Sequence, residues 1–140
     1  MDEPVFLTLG QVLDLHADGL ARHGGQAGVR EPGLVESALA SAKNAHWYGQ
    51  GDVFDIAAAY AFHLAESQAF VDGNKRVAIS AAIAFLHVNG ITMLPDIEAL
   101  HQAMLALADH QLDKRGLADL LSRQHLRFCA LRGLVSRHQR

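Results

Sequence analysis

Two Ala-rich segments, from Ile56 to Ala65 and from Val77 to Leu86, are apolar on nearly every face, and only a short polar stretch separates them. A helix that is hydrophobic all round has no side to offer to water and has to be buried in the middle of a protein. The two segments are therefore read as the hydrophobic heart of a helical bundle. Asp52 or Asp55 can begin the first. The second starts near Gly73 or Asn74 and closes at Asn89-Gly90.

The rest of the chain supplies the surrounding helices. Thr8 can cap a helix that runs to about His23, with Val12, Leu13, Leu15, His16 and Leu20 as a one-sided stripe, and Gly24-Gly25 ends it. Gln26 to Arg30 has no helical pattern. Glu31-Pro32-Gly33 opens a second helix, proline near its first turn, to about Ser41. Between Lys43 and Asp52, Asn-Ala-His-Trp-Tyr-Gly-Gln-Gly reads as a loop or short flap; Trp47 and Tyr48 either contact a target or cover the core edge. After an extended Ile91 to Leu94, Pro95-Asp96 starts a fifth helix to about His110. Asp113 starts a sixth, interrupted or frayed at Gly116, that reaches about Gln124. The fold class is all-α, a compact bundle of about six helices, and 140 residues make room for one domain with one core, a basic tail following from about residue 123.

Composition excludes several roles. The longest strongly apolar run, Val77 to Leu86, is too short to span a bilayer, and Asp2 and Glu3 stand where a signal peptide needs positive charge. The reading is a cytoplasmic protein with no membrane partner. The single cysteine, Cys129, has no internal disulfide partner and no zinc-ligand spacing beside it, and is assigned no role. All fifteen acidic residues and seven of the twelve cations precede Arg123, so a body of about −8 carries a tail of about +5. An acidic body argues against direct nucleic-acid binding, which needs a basic face toward phosphates.

Chemistry concentrates between the two central segments, in Ser67-Gln68-Ala69-Phe70-Val71-Asp72-Gly73-Asn74-Lys75-Arg76. Taken alone, Asp72 is a structural N-cap worth about 1 kcal/mol. Lys75 and Arg76 are less ordinary, because cations in the first turn of a helix oppose its dipole by about 0.3–1 kcal/mol. A phosphate would remove that conflict: free N–H groups at the helix start, the Asn74 amide and both cations would converge on one anion, and Asp72 could hold Mg²⁺ with the phosphate oxygens. The alternative is a solvated Lys-Arg pair on the exposed face of the turn.

Phe70-x-Asp72-Gly73-Asn74-Lys75-Arg76 resembles the signature loop of the Fic/Doc family, specifically its death-on-curing branch, whose pattern runs His-x-Phe-x-Asp-x-Asn-Lys-Arg. Gly28-Val29-Arg30-Glu31-Pro32-Gly33-Leu34-Val35-Glu36-Ser37-Ala38-Leu39 upstream, and Phe85-Leu86 with Asn89-Gly90 downstream, are similar to that branch as well, so the likeness covers about residues 5 to 95. It implies a helical fold with ATP, or another nucleoside triphosphate, and Mg²⁺ at the loop, and transfer of part of the nucleotide to a hydroxyl of a target protein. Most Fic members transfer AMP. The death-on-curing branch acts as a kinase, phosphorylates a translation factor and is held inactive by an antitoxin. Lys75 and Ile79 favour that branch, since AMP transferases have a second glycine and another arginine there. By the same likeness Asp72 binds Mg²⁺, Gly73, Asn74, Lys75 and Arg76 bind phosphates, and Phe70 anchors the loop.

The departure from the pattern is at position 68, where the family's histidine is replaced by Gln68. That histidine is the general base. An amide can orient a hydroxyl but cannot take its proton at neutral pH, and such a base contributes about 10²–10⁴-fold in rate. His63, five residues away, is about 140° around the helix axis and does not replace it; a small shift at the helix end would bring Glu66 toward the site. Two functions remain: a Doc-like phosphotransferase toxin with impaired chemistry, and an inactive module on the same scaffold that binds a nucleotide or a partner. The other histidines, His16 among them, read as surface or core filler.

Overall fold

The computed structural model describes residues 3–49 and 51–138, with side chains described as far as residue 133. Six helices follow one another: α1 (Leu9–His23), α2 (Pro32–Gly49), α3 (Val53–Ser67), α4 (Asn74–Val88), α5 (Ile97–Ala108) and α6 (Lys114–His138). As read from the apolar pattern, α3 and α4 form the centre and make the most extensive contact between helices. Alanines set how closely they approach: Ala57, Ala58, Ala59, Ala61, Ala78, Ala81 and Ala82 are all buried, and Tyr60, Leu64, Phe85 and Leu86 fill the remaining space. Around this pair, α2 and α6 pack on α3, and α1 and α5 pack on α4.

Local signals account for most helix starts. Thr8 accepts from the Gln11 N–H while the Gln11 side chain accepts from the Thr8 N–H, a reciprocal cap on α1. Both candidate starts of α3 are used together, since Asp52 caps the helix and Asp55 reaches back to the Asp52 N–H. Two long-range clamps tie the N-terminal segment to this core. The Leu7 N–H donates to the buried Tyr60 hydroxyl at 3.0 Å, and the Asn89 amide both accepts from and donates to the backbone of Val5.

Two expectations fail. Among the described residues no flap precedes the central helices: α2 runs on through His46, Trp47 and Tyr48 to Gly49, Gln50 lying outside the described residues. The buried stripe of Val35, Ala38, Leu39 and Ala42 continues at helical spacing into Ala45, and no proline or glycine interrupts it before Gly49. Nor does the sixth helix break at Gly116 or end near Gln124, because α6 continues to His138. Gly116 lies in its first turn, where its N–H donates to Asp113 Oδ1 and a Cβ would run into the Leu112 side chain. The basic tail is therefore largely helical, residues 139 and 140 lying outside the described residues. No helix is long and apolar enough to cross a membrane among those described.

Candidate functional site

The turn between α3 and α4 is built by parts of the chain far away in sequence. Ala69 accepts from the Arg30 N–H at 2.7 Å, the Val71 N–H donates to the Gly28 carbonyl at 3.0 Å, and Val29 and Phe70 form an antiparallel bridge. The non-helical stretch before α2 is thus the pairing partner of the turn, which explains why the resemblance extended upstream to Gly28. Phe70 is fully buried, and its ring stacks on His16 of α1 with centroids 3.9 Å apart. Asn74 braces the same residue from the other side, its Oδ1 accepting from the Phe70 N–H and its Nδ2 donating to the Phe70 carbonyl.

Asp72 does not cap α4. The cap is Gly73, in the left-handed region at φ 79°, and among the described residues no side chain satisfies the helix start. Both carboxylate oxygens of Asp72 are occupied elsewhere: Oδ2 accepts from the Gln26 N–H at 3.0 Å and Oδ1 from the Gly73 N–H at 2.8 Å. These two N–H donors, with smaller help from Arg76 and His16, hold the carboxyl below the usual carboxylate range, so it is anionic at neutral pH. The close approach needs Gly25, at φ 122°, where a Cβ would stand 2.9 Å from Asp72 Oδ2.

The two cations part company. Lys75 is exposed. Arg76 turns toward the end of α1, where its Nη1 donates to the Gly24 carbonyl at 3.2 Å and the Gly19 carbonyl at 3.4 Å. A guanidinium at a helix C-terminus satisfies orphan carbonyls and complements the dipole, so Arg76 has the structural rationale that the sequence did not reveal. The Asn74 amide is likewise engaged with Phe70 instead of facing an anion. What remains open at the head of α4 is its backbone: among the described residues no side chain accepts from the N–H groups of Asn74, Lys75 or Arg76.

Gln68 ends α3 in the left-handed conformation, at φ 51°. Its Nε2 donates to the Ala65 carbonyl at 2.8 Å, and its Oε1 accepts from Asn74 Nδ2 at 3.4 Å. The side chain is exposed and closes the turn against itself. Next to it opens a cleft of about 500 Å³, lined by Gln68 and Lys75, by Phe62 and Glu66 of α3, and by Met104 and Leu107 of α5. His63 is surrounded differently: partial burial and the nearby Lys114 lower its pKa against the pull of Glu66, which leaves it neutral at pH 7.

Trp47 and Tyr48, candidates for target contact, are not brought to this turn. They are exposed, at 56% and 82%, and Trp47 meets Phe6, which stacks on Phe85 in the last turns of α4, at the other end of the helix from Asp72. His16 was missed. It stands in the apolar stripe of α1 and is buried, yet its Nε2 donates to the Asp72 carbonyl at 2.7 Å. A histidine inside an otherwise aliphatic stripe was the available signal.

Residues 6–86 match the Fic/DOC family. The chain belongs to that family. Its relatives include a protein named protein kinase doc from Escherichia phage P1, 29% identical over 114 residues, which make up 81% of this chain and 90% of that protein. Another, named toxin Doc, from Mycolicibacterium smegmatis, is 40% identical over 88 residues, or 61% of this chain and 67% of the relative. The matched span contains the whole of the turn and the segment that pairs with it.

Proposed function

We propose that this Fic/Doc protein is a Doc-like toxin of a toxin–antitoxin pair that binds ATP with Mg²⁺ at the turn from Asp72 to Arg76. Its transfer of phosphate to a hydroxyl of a target protein is limited by Gln68. The observation that carries this reading is the pairing, in one turn, of a fixed anionic carboxylate with an uncapped helix start. Open N–H groups at the head of a helix favour an anion. Mg²⁺ is typically held by one or two carboxylates plus phosphate oxygens and water. The donor set fits that mode: the described residues contain no cluster of three or more acidic, histidine or cysteine side chains able to hold a metal alone, so the ion would arrive with its nucleotide. The magnesium ion supplies charge neutralisation of the phosphates when bound. Of the two cations, Lys75 is free to reach them, and Arg76 contributes through its backbone N–H and its field.

The chain's own residues do the remaining work. Phe70, buried under His16, fixes the height of the turn, and Asn74 fixes its width. Gln68 can orient a hydroxyl but has no group that accepts a proton, and its amide is engaged at both ends in the free protein. That engagement favours the second reading, a nucleotide- or partner-binding module without chemistry. Target and antitoxin, a translation factor and a small protein that holds the toxin inactive in the branch it resembles, belong to the first reading.

One substitution separates the two. Histidine at position 68 restores a group with an unperturbed pKa of about 6.5, and Gln68→His should raise transfer of labelled γ-phosphate from ATP to proteins of a cell extract by about 10²-fold or more. A wild type as fast as the variant would name another base, Glu66 first. An inert Gln68→His variant that still binds ATP would leave the binding module standing.

A further inference from the structure

His16 does more than fill the core beneath the turn. It comes from α1, 56 residues away from the group it touches, and lies 7% exposed with its ring flat on Phe70. Its Nε2 donates at 2.7 Å to the carbonyl oxygen of Asp72, and that carbonyl belongs to the same peptide unit as the Gly73 N–H, which donates to Asp72 Oδ1. The Asp72–Gly73 peptide is therefore held at both ends, by imidazole on its oxygen and by carboxylate on its nitrogen. Glycine at φ 79° places no steric bar on rotation of this peptide. The histidine ring runs alongside, where a Cβ on Gly73 would meet Nε2 at 3.6 Å and Cδ2 at 3.7 Å. A flip would exchange the two ends, putting the carbonyl oxygen beside the Asp72 carboxylate and releasing the carboxylate from one of its two N–H donors.

We infer that His16 is a positioning residue for the site: by holding the Asp72 carbonyl it locks the Asp72–Gly73 peptide, and through that peptide it sets the direction of the Asp72 carboxylate. The role needs an N–H donor at the ring's Nε2 position, which a phenyl ring of similar size lacks. In its functional arm this inference rests on the proposed binding of Mg²⁺ and ATP; its structural arm does not.

The test begins with the wild-type protein. Nitrogen-15 NMR of the imidazoles should show His16 with a slowly exchanging proton on Nε2, and a His16 protonated on Nδ1 alone would overturn the inference. His16→Phe keeps the stack on Phe70 and removes the donor, whereas His16→Gln returns an amide N–H near the Nε2 position. Calorimetric titration with ATP and Mg²⁺ should show His16→Phe about tenfold weaker than wild type, the value of one hydrogen bond, with His16→Gln restored to near wild type. Equal affinity for wild type and His16→Phe, or no rescue by glutamine at equal melting temperature, would overturn it. Should the wild type bind no nucleotide, the proposed function falls and hydrogen exchange decides the positioning role. The Gly73 amide should exchange faster in His16→Phe and not in His16→Gln, and identical exchange in all three proteins would overturn it.

Discussion

The two ends of the α3–α4 pair are held by different physics. At the far end, Phe85 is fully buried between Phe6 and Tyr60, with ring centroids 6.3 and 5.2 Å away, and the ties are packing and two long-range clamps on the N-terminal segment. At the turn, polar groups are held by hydrogen bonds to backbone, most of it distant: Gln26 and the neighbouring Gly73 on the Asp72 carboxylate, Gly28 on Val71, and Arg76 on the end of α1. Burial of aromatic area stabilises a fold strongly, whereas each exposed hydrogen bond contributes little net free energy but fixes a geometry. The far end makes the protein stable and the turn makes it specific.

The largest expected effect tests the first half of that statement. Phe85→Ala should cost about 3–5 kcal/mol in denaturant unfolding, by lost transfer free energy and a cavity where the surrounding rings cannot close in. If enough fold remains, ligand affinity at the turn should be unchanged. A loss below about 1 kcal/mol would mean that the far end is not the packed end.

Separating the two cations sharpens the comparison further. Arg76→Ala removes the group on the Gly24 and Gly19 carbonyls and should lower stability by about 1 kcal/mol, a typical value for a lost capping interaction. Lys75→Ala should leave stability unchanged within about 0.5 kcal/mol, as for an exposed residue away from such features, and should weaken ATP binding. Thermal melts and calorimetry on the two single variants check this. If Arg76→Ala were neutral to stability and abolished binding, its guanidinium would leave α1 for the ligand.

The helical bundle and its two central helices were legible because they rest on hydrophobic periodicity, which is local. So were the caps: Thr8 as read, Asp52 as one of two candidates with Asp55, and Asp96 within the Pro95-Asp96 start. Trp47 and Tyr48 misled because aromatic and glycine content suggested a loop, while the stripe through Ala42 and Ala45 carried α2 past them. The turn itself was located correctly, but its internal wiring was not. Apart from the Asn74–Gln68 contact, the partners of Asp72, Arg76 and Asn74 are backbone atoms, which carry no residue-type signal, and three of them lie 46 to 57 positions away. The conflict between cations and the head of α4 is therefore removed for the side chain of Arg76 by the end of α1, and stands for Lys75 alone.

The smallest effect concerns how Asp72 responds to acid, and it separates the two ends by their pH dependence. The Gln26 and Gly73 N–H groups, the two largest causes, hold the Asp72 carboxyl below its ordinary value in the folded protein, and no such donors are fixed beside it in the unfolded chain. The folded state therefore binds this proton less readily than the unfolded state does. The stabilisation is fully present above the ordinary carboxylate value of about 4 and is lost as pH falls through the lowered folded value. Asp72→Asn removes the titration, so the difference in unfolding midpoint between wild type and Asp72→Asn should be constant from pH 7 to about 5 and should shrink as pH falls below about 4. The carboxylate is exposed, so the shift is small and calls for denaturant midpoints at closely spaced pH values, compared at low and high salt. Phe85→Ala, whose cost is packing, should keep the same deficit relative to wild type at every pH where both fold. A midpoint difference for Asp72→Asn as flat as that of Phe85→Ala would mean that the carboxylate is not held by Gln26 and Gly73 in solution, and the turn would then lose the fixed anion on which its reading as a metal–nucleotide site depends.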